Sequence, residues 1–301
     1  MPYNKKNIAT ATGQKAYEIL LKNGYSMKSA QSLIDRGRMI NNDLVVKGKN
    51  QVLYGDVFLI VYECLPRGLK PVFEDEEFAV FDKPSGVLTH QNGRSCQYSL
   101  NDEIISLFGA NAKVAHRLDK ETSGLILVAK NKEAEVCFKK MFEEKLIKKE
   151  YLAFARGKTE SKFEVSVNLA QNLGAKSLKN KMFTSKNGKE SLTKFETIEY
   201  LDKFDISYLR CIPKTGRQHQ IRAHLDYAGH AILGDTMYGV SDEVACDFLD
   251  EKISQESRVE ICGSSRLLLH SNLLEFIYKG QIYSIKSCVD VKNEFLKCID
   301  Y

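Results

Sequence analysis

The spacing of apolar positions changes character along the chain. Between Thr12 and Gly37 it is helical: Ala16, Ile19 and Leu20 fall on one face of a helix that Thr12 can cap and Gly24 stops. Ser26 caps a second helix ending at Gly37, in which Met27, Ala30 and Ile34 share one side and Lys28, Ser32 and Arg36 another. Asn41-Asn42-Asp43 reads as a turn, with Asn42 suited to a left-handed position, and strand-like segments follow at Leu44 to Val46 and Asp56 to Glu63. The breakers in Leu65-Pro66-Arg67-Gly68-Leu69-Lys70-Pro71 mark a linker. From Phe73 onward the apolar positions run together in short β-rich blocks, Phe78 to Phe81, Leu125 to Ala129, Tyr151 to Ala155 and Ile206 to Ile212. The pattern predicts a small α+β domain at residues 10–63, a linker at 64–72, and at 73–301 a larger α+β domain on a mixed or antiparallel β-sheet rather than on repeated βαβ units.

Composition narrows the class. With 43% apolar and 28% charged residues, no segment approaches the roughly 18 consecutive apolar residues of a membrane span. Met1 to Thr10 is polar and lacks the apolar core of a secretory signal. Cysteines 64, 96, 137, 211, 246, 262, 288 and 298 stand singly, without metal-ligand or disulfide spacing. A cytoplasmic, membrane-free monomer with reduced thiols is expected. Charge adds a location: residues 1–62 hold nine Lys or Arg and four Asp or Glu, so 9 − 4 = +5, equal to the whole-chain net charge of +5. Positive charge is thus concentrated where it could attract phosphates, although a merely solvated basic surface has the same signature.

Candidate chemistry is densest in Ala115-His116-Arg117-Leu118-Asp119-Lys120-Glu121-Thr122-Ser123-Gly124, just before the apolar block 125–129. A polar turn feeding a buried strand holds its side chains against a rigid support, where they could act on a ligand; Arg117 and Asp119 could equally form a structural ion pair. His116, His219, His224 and His270 make no zinc motif, since His219 and His224 have four residues between them and no Glu in the HExxH position. With no dinucleotide fingerprint or phosphate-loop lysine motif either, neither a metal nor a cofactor is expected. The lysine-rich stretch Ala175 to Lys189 is expected as an exposed hairpin or insertion, and Asp102 on a surface helix away from every motif.

Two sets of segments resemble known families. Ser29-Ala30-Gln31-Ser32-Leu33-Ile34, Gly37-Arg38-Met39-Ile40-Asn41 and Gly55-Asp56-Val57 resemble the S4 RNA-binding domain, with Asn42 where that domain often has glycine. The resemblance implies RNA contacts from Lys28, Arg36 and Arg38. His116-Arg117-Leu118-Asp119 is similar to the signature of the RluA/RluD-type pseudouridine synthases. Lys83-Pro84-Ser85-Gly86-Val87 precedes it, and Lys149-Glu150-Tyr151-Leu152-Ala153, Lys214-Thr215-Gly216-Arg217-Gln218-His219-Gln220-Ile221-Arg222 and the set Ile232, Gly234, Asp235, Tyr238 and Gly239 follow, in the family's order over about 190 residues.

That resemblance implies an RNA uridine isomerase that flips its target base. Asp119 would act on the target ribose, attacking C1′ or promoting C2′ deprotonation. Tyr151 would support the uracil ring and could help remove the C5 proton, and Arg222 would pair with Asp119. Arg117 would help displace the flipped nucleotide, His116 and Arg217 would contact RNA, and Leu269 would wall the uridine pocket. The segment around Leu269 departs from the family by carrying Ser271. By analogy, the S4-like unit points to large-subunit ribosomal RNA, free or in an assembling particle, with transfer RNA as the other substrate. The competing function is a noncatalytic RNA-binding or ribosome-assembly protein on this fold. A hydrolase would need a nucleophile elbow or triad motif, and neither accompanies the histidines.

Overall fold

A computed structural model of the chain describes residues 3–91, 97–171 and 178–299. The backbone packs as two units, one running to Arg67 and including Gln91–Tyr98, the other comprising Gly68–His90 and Ser99 onward.

The first unit holds β1 (Tyr3–Lys15), α1 (Ala16–Lys22), α2 (Met27–Asp35), β2 (Met39–Asn41), β3 (Leu44–Val45) and β4 (Val52–Tyr62), its strands ordered β1-β4-β2-β3. Hydrophobic patterning does not reveal β1, because most of its side chains are exposed. Backbone pairing makes it a strand: it runs antiparallel to β4 from Tyr3 opposite Tyr62 to Lys15 opposite Val52. Thr12 therefore lies in a strand and caps no helix. Instead the Lys15 N–H, just before α1, donates to Glu18 Oε2 at 3.0 Å. Ser26 does cap α2, its Oγ accepting the Ser29 N–H at 3.2 Å. Ala30 and Ile34 are buried but Met27 is 47% exposed, and Arg36 is the C-cap residue, its N–H still donating to the Ser32 carbonyl at 3.2 Å. Asn42 and Asp43 take φ of 47° and 63° in the turn before β3. Leu20, Ile34, Met39, Leu53 and Leu59 centre a small core.

In the second unit come β5 (Phe73–Glu74), β6 (Phe78–Lys83), α3 (Leu100–Phe108), β7 (Lys113–Val114), β8 (Ser123–Ala129), α4 (Lys132–Glu143) and β9 (Lys148–Arg156). They are followed by β10 (Lys162–Gln171), β11 (Met182–Thr184), β12 (Lys189–Leu201), β13 (Ile206–Pro213) and α5 (Gln220–Tyr227). The remainder is α6 (Asp242–Leu249), α7 (Gln255–Cys262), β14 (Leu269–Tyr278), β15 (Gln281–Lys286) and α8 (Val291–Leu296). One 11-stranded sheet runs β11-β10-β12-β13-β9-β14-β8-β6-β5, with β15 on β14 and β7 on β8. Its pairings are antiparallel except β14 with β8, so it is a mixed sheet in an α+β fold.

Both faces of this sheet are covered. Phe78 and Val80 of β6 and Leu125 and Leu127 of β8 enter one core with Ala134, Phe138 and Met141 of α4. The alternate residues Ala79, Phe81, Ile126 and Val128 enter another with Leu100 and Ile104 of α3 and Val291 and Phe295 of α8. Double burial explains why residues 125–129 read as an unbroken apolar block, and each large side chain so buried contributes about 1.5–3 kcal/mol. Gly124 is required where β8 meets β14: at φ 107°, a Cβ there would lie 2.3 Å from the Ser271 carbonyl oxygen.

Two expectations are corrected. Asp102 is buried rather than at the surface, and its Oδ2 accepts the Ser99 N–H at 2.9 Å and the Ser99 hydroxyl at 3.1 Å at the start of α3. An apparently neutral helix position is thus a cap. The lysine-rich stretch, of which residues 175–177 lie outside the described part, is largely exposed as expected but forms no hairpin: its strand β11 and the start of β12 pair with β10 on either side rather than with each other. Cys137, Cys211, Cys246, Cys262, Cys288 and Cys298 are free, and Cys96 lies outside the described residues. Among the described residues, no helix is long and apolar enough to cross a membrane.

Candidate active site

Asp119 sits on the loop between β7 and β8, its side chain 30% exposed. Arg222, on the buried side of α5, donates from Nη1 to Asp119 Oδ2 at 3.1 Å. Its other face is fixed by Asp235: Nε donates to Oδ2 at 2.6 Å and Nη2 to Oδ1 at 2.8 Å. Asp235 Oδ1 also accepts the N–H groups of Met237 and Tyr238 at 2.9 and 3.1 Å. Burial opposes the charge of Arg222, but Asp235 and Asp119 outweigh it and raise its pKa. Burial likewise opposes ionisation of Asp235, and Arg222 outweighs it, holding that carboxyl below its usual range. A fork-shaped cation locked on one carboxylate thus presents its remaining edge to another.

Three further groups define the surroundings of Asp119. Tyr151 lies in β9, opposite Cys211 on one side and Ser271 on the other. Burial pushes its phenol up to about 12 and Asp119 adds to the shift, so it is uncharged at neutral pH. His219 precedes α5 with φ 51°, and its Nε2 is 3.7 Å from Asp119 Oδ2. Burial, then Arg222, lowers His219 to about 4. Lys83 is fully buried at the end of β6, its Nζ donating to the carbonyls of Pro84 at 2.9 Å, Val87 at 2.8 Å and Lys120 at 3.1 Å. Three acceptors match the three donors of an ammonium and tie the Pro84–Val87 turn to the residue after Asp119. Burial pulls Lys83 down to about 7, against the opposing charges of Asp119, Asp82 and Glu121.

The loop is braced beyond Asp119. Arg258 of α7 grips Glu121 with two bonds of 2.8 Å and donates to the Gly234 carbonyl at 2.6 Å. At Gly234, φ is 74° and a Cβ would lie 1.7 Å from the Arg266 carbonyl oxygen, so only glycine lets that loop pack.

The residues expected at the site divide clearly. Asp119, Arg222 and Tyr151 converge, and Leu269 lies in the same buried core as Tyr151 and Leu118. Arg117 is exposed and makes no ion pair with Asp119, whose cationic partner is Arg222. His116 turns into the fold: its Nε2 accepts the Leu127 N–H at 3.1 Å, its ring lies 4.7 Å from that of Phe142, and burial lowers it to about 3. Arg217 donates from Nε to the Glu190 carbonyl at 3.1 Å. Lys28, Arg36 and Arg38 belong to the first unit; Lys28 and Arg36 are exposed, and Arg38 lies over the Tyr3 ring at 4.8 Å.

The sequence alone suggests no catalytic role for Asp235, His219, Tyr238 or Lys83, although each stands in one of the family-like motifs. Charge spacing carries no signal for the Arg222–Asp235 pair, because a helix end and a reversal intervene. The histidines do not share a site: His224 meets the Ser191 hydroxyl at 2.8 Å and His270 the Ser123 hydroxyl at 2.9 Å.

With this geometry in view, residues 77–227 match the RNA pseudouridylate synthase family. An uncharacterized RNA pseudouridine synthase of Helicobacter pylori (strain ATCC 700392 / 26695) is 40% identical over 264 residues, 87% of this chain and 86% of that protein. Ribosomal large subunit pseudouridine synthase C of Salmonella typhimurium is 32% identical over 234 residues, 76% and 68% of the two chains. Among solved structures, human RNA pseudouridylate synthase domain containing 1 aligns with a TM-score of 0.57 at 25% identity, covering 74% of this chain and 84% of that one.

Proposed function

We propose, on the premise that this chain belongs to the RNA pseudouridylate synthase family and is an RNA uridine isomerase, that its substrate is large-subunit ribosomal RNA and that Asp119 acts on the target ribose. The observation that carries the site assignment is the Arg222 bond to Asp119 Oδ2 at 3.1 Å from a guanidinium already locked on Asp235. A buried cation of fixed position holds the carboxylate in a fixed place, which both nucleophilic attack at C1′ and proton abstraction at C2′ require. After the N1–C1′ bond breaks, the uracil rotates and rejoins through C5, whose proton is lost while N1 gains one. Tyr151, uncharged and buried beside this site, suits support of the flipped ring.

The name of the Salmonella relative, a ribosomal large subunit pseudouridine synthase, supports the large subunit as target. So does the first unit, which we read as an S4-like RNA-binding domain on whose surface Lys28 and Arg36 are exposed. Arg117, exposed on the catalytic loop, is the side chain to take the place of the flipped base. The enzyme would work as a cytoplasmic monomer. Mapping pseudouridines across total RNA, with and without the protein, tests the substrate. Loss of one or more pseudouridines from large-subunit RNA is expected, whereas loss confined to transfer RNA would replace that substrate.

A further inference from the structure

We propose that His219, fixed by Tyr238 as its Nε2–H tautomer, is a positioning residue that presents an N–H to Oδ2 of Asp119 and so reserves Oδ1 for the target ribose. The inference rests on the reading of Asp119 as the acting carboxylate. Three observations support it. First, the Tyr238 hydroxyl oxygen accepts the Met182 N–H at 2.8 Å and meets His219 Nδ1 at 3.2 Å. Tyr238 is 2% exposed, and a buried hydroxyl proton needs an acceptor. Among the described residues, His219 Nδ1 is the acceptor this hydroxyl meets. If Nδ1 carried the imidazole proton, Tyr238 would accept twice and its own O–H would be stranded. Nδ1 therefore accepts, and in an uncharged ring the proton sits on Nε2.

Second, that Nε2 points to Asp119 Oδ2 from 3.7 Å, the same oxygen that Arg222 holds at 3.1 Å. The gap is too long for a hydrogen bond, so the N–H stands ready for a shift of the carboxylate as substrate enters. Both donors address Oδ2 and neither addresses Oδ1, which sets the carboxylate's rotation. Third, His219 adopts a left-handed φ of 51° at the residue before α5. Outside glycine that conformation is uncommon and persists where surrounding contacts impose it. The Arg222 guanidinium also lies over the Tyr238 ring, 5.1 Å from its centre.

The test uses the full chain and protein-free large-subunit ribosomal RNA from cells lacking the enzyme, with two readouts. Nitrogen-15 NMR of histidine-labelled protein should show His219 protonated at Nε2 and bare at Nδ1 at neutral pH, with the preference lost in Tyr238→Phe. In turnover, His219→Asn tolerates the left-handed backbone but is too short to reach Asp119. It should lower kcat by about tenfold or more with KM for the RNA unchanged. His219→Gln, whose amide reaches farther, should recover most of that loss. An Nδ1–H tautomer in the wild-type protein would overturn the proposal without any variant. A wild-type kcat in His219→Asn, alongside inactive Asp119→Asn, would overturn this inference alone. Activity retained by Asp119→Asn would remove the catalytic reading and this inference with it.

Discussion

The two units of this chain achieve order by different means. In the first, a 13-residue strand with mostly exposed side chains is held along β4 by its backbone, and a handful of small and aliphatic residues make the core. In the second, the strands that carry the site are apolar on both faces and clamped between α4 on one side and α3 and α8 on the other. A strand whose side chains are mostly exposed can rest on a small core. A carboxylate that must be held in one orientation needs a support that cannot yield.

The largest difference should appear in packing. Phe138→Ala removes a ring that packs at 4.7 Å on Tyr278 and 5.4 Å on Phe78. It should destabilise the second unit by about 3–5 kcal/mol, read as a lower denaturant midpoint. Ile34→Val in the first unit should cost only about 0.5–1.5 kcal/mol. Equal losses would erase the contrast.

Next in size is Arg222→Ala. It leaves Asp235 buried and uncompensated, a type of loss that costs about 3–5 kcal/mol, and strips Asp119 of its partner. Turnover at saturating RNA should fall far more than RNA affinity does. Normal saturated turnover would show that the pair is structural.

Acid should also discriminate between the units. His116, His219, His224 and His270 are held uncharged by burial, lowered to about 3, 4, 4 and 4. The unfolded chain binds protons at these sites near pH 6.5, so their contribution is complete above that pH and is lost as pH falls toward 4. All six histidines of the chain lie in the second unit. Acid melts followed by amide exchange should therefore show the second unit weakening below about pH 6.5, with no histidine contribution in the first. Histidine-linked weakening in both units would contradict this.

The smallest effect is expected at Lys28, exposed in the first unit. Lys28→Ala should leave stability nearly unchanged. If this side chain neutralises a phosphate, the slope of log affinity against log salt should become shallower by about 0.7–0.9. An unchanged slope would remove Lys28 from the RNA interface.

How far the sequence could be read follows the same division. The doubly buried strands were legible because burial leaves a mark in residue type, as residues 78–81 and 125–129 show. Strand β1 was not, since backbone pairing leaves no such mark on Asn4, Lys5 and Lys6. Asp119, Tyr151 and Arg222 were accessible through motif resemblance. Asp235, which positions Arg222, and Asp102, which caps α3, took part in contacts that only the folded chain assembles. His116 shows the converse: it belongs to the signature motif, yet its ring serves the sheet by accepting the Leu127 N–H.

The most direct measurement is an isomerisation assay and an RNA-binding titration on Asp119→Asn, with Glu160→Gln at an exposed position as control. The amide keeps the shape of the side chain but is a poor nucleophile and a poor base. The account predicts background isomerisation with wild-type RNA affinity and melting temperature, and an unchanged control. Substantial pseudouridine formation by folded Asp119→Asn would contradict it.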